Sequence, residues 1–121
     1  MLISAPRALV VEDHESVSLM LQEGLQRDGF EVVTASNVRD ALRHIAAQPF
    51  DVLLSDLHLP LAGDGFTVVS AMRHTHPEAL TVILSGYPAV EERYPPFLPK
   101  PTKFFRSRFE WARSRNSSAP G

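Results

Sequence analysis

The chain has 121 residues, 44% hydrophobic and 21% charged, the size and composition of one globular domain with a single core. Its formal charge of −2 gives no overall pull toward nucleic acid, and the lack of cysteine excludes a disulfide framework and a thiolate metal site. The apolar run after Arg7 is too short for a secretory signal and nothing downstream approaches a membrane span, so a soluble, cytoplasmic protein is expected, with neither a membrane nor a direct nucleic-acid partner.

A first strand is predicted at residues 8–11. Val17, Met20, Leu21 and Leu25 then share one helical face, and Asp28-Gly29 ends that helix. Glu31 to Ala35 reads as a second strand; Ser36 or Asn37 caps a second helix carrying Val38, Ala41, Leu42 and Ile45, which Pro49 stops. The run DVLLSDLHLP holds a third, buried strand that runs straight into Asp56. After Gly65 a third helix points Phe66, Val69 and Met72 inward and ends before Pro77, and residues 80–84 form a fourth strand. Pro88, Pro95, Pro96 and Pro99 break the rhythm that follows, leaving residues 97–98 as a minimal fifth strand. A last helix is predicted from 102 to about 115, with Phe105, Phe109 and Ala112 on one face, before a fraying NSSAPG tail at 116–121. Alternating strands and helices of this length imply a doubly wound α/β fold, with a parallel sheet covered on both faces.

In such sheets ligands bind past the carboxyl ends of the strands. That edge receives Glu12 and Asp13 from the first strand, Asp56 from the third, Ser85 from the fourth and Lys100 from the fifth. Clustered carboxylates repel, and one or more must take up a proton unless a hard divalent cation holds them. Magnesium suits an all-oxygen shell completed by water and a phosphate oxygen. Lys100 adds a mobile positive charge and Ser85 a donor, both suited to a phosphoryl group in transfer, and Asp56 becomes the nucleophile that accepts it.

The ordered set VVED, LLSDLHLP, LSG and FLPKP resembles the receiver domain of two-component response regulators over residues 7 to about 112, so a receiver domain is expected at 7–115. The resemblance implies a five-stranded, flavodoxin-like sheet of strand order 2-1-3-4-5. It implies Asp56 as phospho-acceptor, Asp13 and Asp56 as direct magnesium ligands, Glu12 acting through water, and the backbone carbonyl of His58 completing the set. Ser85 would receive the phosphoryl oxygen and Lys100 would contact the phosphate, ahead of a cis bond to Pro101. Phe97 takes the place of the switch aromatic. The implied donor is a histidine kinase or a histidine phosphotransfer protein, and the output is a change in binding to a downstream protein, with a homodimer compatible. The chain would be a switch that catalyses only its own phosphorylation and dephosphorylation rather than an enzyme acting on others.

Several features depart from that pattern. Ser85 and Lys100 are separated by 15 positions, about two helical turns fewer than relatives show, so a missing or degenerate fourth helix is expected between them. SGYP is similar to the signature of the FAT GUY subgroup of receivers, which lack an ordered fourth helix, and signalling would then order the loop at 86–96. LAGDGF is one residue longer than the usual loop, and no output domain follows, which suggests a stand-alone receiver. A rival reading is a pseudo-receiver, an interaction module that is never phosphorylated. A phosphohydrolase with an aspartate nucleophile would typically carry a second aspartate at position 58, where this chain has histidine.

Among the other residues, His14 reads as a loop side chain rather than a transition-metal ligand, and His74 and His76 as cations near a helix end. Gly63 and Gly65 read as turn residues. Phe104, Phe105, Phe109 and Trp111 cannot all face inward on one helix, which leaves two readings, a core role with one exposed aromatic or a docking surface for a kinase phosphotransfer domain.

Overall fold

The computed structural model describes residues 5–56, 64–84, 101–105 and 111. Among them the chain runs β1 (Arg7–Val11), α1 (Glu15–Arg27), β2 (Glu31–Ala35), α2 (Val38–Ala47), β3 (Val52–Asp56), α3 (Asp64–Thr75), β4 (Leu80–Leu84) and β5 (Lys103–Phe105). The strands form one sheet of order β2-β1-β3-β4-β5 with every neighbouring pair parallel, the predicted order.

Strand pleating divides the core into two layers. Leu9 and Val11 of β1 point to one face, where Leu53, Ile83, Ala41 and Ile45 of α2 and Val68, Val69 and Met72 of α3 complete a layer. Ala8 and Val10 point to the other, against Leu54, Leu84, Leu21 and Leu25 of α1, Phe105 and Trp111. With side chains buried on both sides, β1 reads as an unbroken apolar run rather than an alternating one.

Local signals set the helix ends. Gly29 takes φ 96, and the amides of Gly29 and Phe30 close onto Gln26 and Leu25 at 3.0 Å each, while Phe30 packs on the core layer that holds Leu25. This is the left-handed glycine stop that Asp28-Gly29 signals in the sequence. The Asn37 side chain accepts the Asp40 amide at 2.8 Å at the start of α2, while α2 ends at Ala47, ahead of Pro49. Two details differ from expectation. Met20 is 43% exposed because the inward stripe of α1 runs through Leu21, Gly24 and Leu25. Gly65 is a buried residue of the first turn of α3 rather than a turn residue.

The largest correction lies at the fifth strand. The strand predicted at 97–98 falls outside the described residues, and the fifth place in the sheet belongs to Lys103–Phe105, where a helix was expected to begin. A clasp between two threonines sets its register. The Thr81 amide donates to the Thr102 hydroxyl at 3.0 Å, and the Thr102 amide donates to the Thr81 hydroxyl at 2.9 Å and to the Thr81 carbonyl at 2.6 Å. Phe105 is thereby buried beside Leu84 instead of lying on a helix face. Lys103 to Phe105 each carry the amide N–H that a ladder needs, whereas the prolines at 95, 96 and 99 cannot donate. Trp111 is 7% exposed in the second core layer, so the docking surface suggested for it has no exposed ring to use.

Candidate functional site

The parallel register delivers the acids together. Val11, the last residue of β1, pairs with Ser55, and the next residues along the chain are Glu12 and Asp56. Asp56 is the last residue of β3 and pairs with Leu84, so the carboxyl ends of β1, β3 and β4 are level. The Glu12 amide donates to the Ala35 carbonyl at 3.0 Å, tying this point also to the end of β2. Ser55 is fully buried and its hydroxyl donates to the Asp56 carbonyl at 3.2 Å, which holds the backbone that presents the acid.

Glu12 is only 2% exposed, and its carboxyl is pushed above the ordinary 4.5, first by burial. The nearby Asp56 charge and a hydrogen bond with Asp13 push the same way, while the His14 amide and ring oppose them. The amide of His14 donates to Glu12 Oε2 at 3.0 Å. Its Nδ1 lies 3.3 Å from Glu12 Oε2 and 3.3 Å from Asp13 Oδ1. The donor atoms of Glu12, Asp13 and His14 all lie within 4.8 Å of one another. Sequence reasoning placed His14 in a loop; the structure turns its ring back onto both acids, with no side-chain bond to the helix it precedes. The signal for this was its position directly after the acid pair.

Two of the four predicted metal-binding residues, Glu12 and Asp13, therefore meet, and Asp56 stands on the adjacent strand close enough for its charge to act on Glu12. His58, Ser85, Phe97 and Lys100 lie outside the described residues, as do the 100–101 bond and the loop at 86–96. Lys100 precedes β5 in the chain instead of following it, because that strand is Lys103–Phe105. His76 has a structural role, with Nε2 3.1 Å from the Ile45 carbonyl and its ring edge-on to Phe50.

The carboxylates fit a divalent cation. Burial first, and the neighbouring Asp56 charge after it, makes Glu12 hold its proton more tightly, and a doubly positive ion beside the acids would offset the charge that the proton otherwise neutralises. The oxygen donors suit magnesium, for which Glu12, Asp13 and Asp56 are the described candidates. Beside them a cleft of about 540 Å³ is lined by Glu15, Ser18, Leu19 and Asp40 as well as the acid pair.

A family model for the response regulator receiver domain matches residues 8–94. The transcriptional regulatory protein PrrA of Mycobacterium leprae is 36% identical over 91 residues, covering 75% of this chain and 39% of its own length. This chain thus spans well under half of that relative. Among solved structures, a Burkholderia pseudomallei response regulator described with a phosphorylated aspartic acid, a calcium ion and citrate aligns with a TM-score of 0.74 at 23% identity, over 95% of this chain and 66% of that one. The receiver domain of the Pseudomonas aeruginosa sensor histidine kinase PA1611, described with magnesium coordinated in its active site cleft, gives a TM-score of 0.76 at 18% identity, over 94% of each chain.

Proposed function

Because the chain belongs to the response regulator receiver family of two-component systems, we propose that it accepts a phosphoryl group on Asp56 from a phosphohistidine donor, with magnesium, and that the phosphorylated form binds a downstream protein differently. The observation that carries this is that Glu12 and Asp56 each follow the register pair Val11–Ser55, close enough for the Asp56 charge to act on Glu12, with Asp13 beside them.

A carboxylate oxygen of Asp56 attacks phosphorus as the bond from phosphorus to the donor imidazole nitrogen breaks; the imidazole leaves and an aspartyl phosphate forms. A bound divalent cation would offset charge on the phosphoryl oxygens. Asp13 and Asp56 would hold it directly, Glu12 through water, and the His58 carbonyl would complete the protein ligands. Ser85 would receive a phosphoryl oxygen and Phe97 would follow that movement. Lys100 would contact the phosphate. A histidine kinase or histidine phosphotransfer protein is the proposed donor, and the domain is proposed to span 7–115. The two neighbours described with a phosphorylated aspartate and with magnesium support the chemistry.

Incubation with acetyl phosphate and magnesium should give a single adduct by intact mass that is absent from Asp56→Asn. An adduct that persists in Asp56→Asn overturns the assignment. One observation favours a second reading, an unphosphorylated pseudo-receiver: β5 lies after Lys100 in the chain, not before it. No adduct in the wild type, with magnesium bound, would select that reading.

A further inference from the structure

We propose that His14 is a metal ligand, and that Glu12, Asp13 and His14 together form a site for a borderline transition cation of the Zn²⁺ or Co²⁺ class, which competes with the hard ion for the same carboxylates. This rests on the reading that the carboxylate edge holds a divalent cation, and it adds a nitrogen donor to that edge.

Two geometric facts carry it. His14 stands at the entrance to α1, where a side chain would ordinarily cap the helix, yet its ring makes no such bond. Instead Nδ1 is directed between two carboxylates of different residues, 3.3 Å from each. Donors about 2.05 Å from a tetrahedral zinc ion are about 3.3 Å apart, whereas donors about 2.1 Å from an octahedral magnesium ion stand about 3.0 Å apart. The two 3.3 Å contacts bring one nitrogen and two carboxylate oxygens to a common point, within the reach of one ion. The ligand types select the ion, since imidazole suits zinc, cobalt, copper and nickel while magnesium takes oxygen.

The site is also held and open in the way a metal centre requires. Glu12 is 1% exposed at its side chain and gripped by the His14 amide, so one ligand is fixed by the sheet. His14 is 67% exposed at its side chain, leaving one side of the trio open to solvent for water or a further ligand. Occupancy by such an ion would draw Asp13 away from the hard-ion site and so tie the phospho-acceptor's metal to the supply of transition metal.

The test uses the full chain, with calorimetry for Mg²⁺ and Co²⁺ and the visible spectrum of the Co²⁺ form. His14→Gln should weaken Co²⁺ binding at least about tenfold and change the cobalt spectrum, while the Mg²⁺ constant stays within about twofold. Asp13→Asn should weaken both ions, and circular dichroism checks that each variant is folded. Unchanged Co²⁺ affinity and spectrum in His14→Gln, with Mg²⁺ still bound, overturn the role of His14 and leave the magnesium reading standing. Failure of the wild type to bind either ion overturns both.

Discussion

The two edges of the sheet are built on opposite principles. At the amino edge Arg7 is met by complementary groups. The Arg7 amide donates to Asp51 Oδ2 at 2.9 Å, and the Arg7 guanidinium reaches Gln48 at 2.7 Å and Glu31 at 3.3 Å. Asp51 in turn links strands through its backbone, its amide donating to the Arg7 carbonyl and its carbonyl accepting from Leu80. Threonines 81 and 102 complete the same edge by exchanging bonds. At the carboxyl edge, acids face acids, and Glu12 is buried at the cost of a raised pKa. One edge is arranged for stability, and the other holds unfavourable energy that a cation can release.

Cation binding should break this contrast most strongly. Magnesium at about a hundred times its dissociation constant should stabilise the fold by about 2.7 kcal/mol, seen as a rise in Tm. Asp13→Asn should remove most of that rise, and an undiminished rise would place the ion elsewhere. At the amino edge, Thr102→Val deprives the buried Thr81 amide of its side-chain acceptor and should lower unfolding free energy by about 1–3 kcal/mol in urea melts. A loss of that size would show that the Thr102 hydroxyl stabilises the junction of β4 and β5; no loss would remove that role.

Smaller effects sharpen the comparison. Glu12 has a raised carboxyl in the folded chain, so its contribution to stability is full below the ordinary value of 4.5 and is lost as pH rises through the folded-state value. Glu12→Gln, measured without divalent cation, should therefore be more stable than wild type at neutral pH, and the gain should shrink as pH falls toward 4.5. A gain independent of pH would mean that packing, not charge, is responsible. Glu31→Gln removes one exposed partner of Arg7 and should change stability by about 0.5 kcal/mol or less, diminishing further in high salt.

The strands and the acids of the carboxyl edge could be read along the chain; the contacts of the amino edge could not. Four of the five strands lie within a residue of their predicted bounds, because each is a short apolar run flanked by a turn or cap, such as Asp28-Gly29 or Asn37. Glu12, Asp13 and Asp56 were legible as a set because each follows directly on a buried strand, where an acid needs a reason. The fifth strand was not. Phe97-Leu98 and Lys103 to Phe105 are both short segments carrying apolar residues, so apolar pattern alone does not choose between them; the signal against 97–98 was the flanking prolines, which cannot donate to a ladder.

The amino-acid sequence by itself determined the alternation of elements, the parallel α/β class and the identity of the acidic residues, since those depend on periodicity and capping within a few positions. Tertiary structure alone decided the β5 register, the burial of Trp111 and the turn of His14 onto the acids. Each depends on partners distant in sequence or on a side-chain direction, such as the pairing of Thr81 with Thr102 across 21 positions. A hydrogen bond between two strands is specified by where both are held, and only the folded sheet holds them.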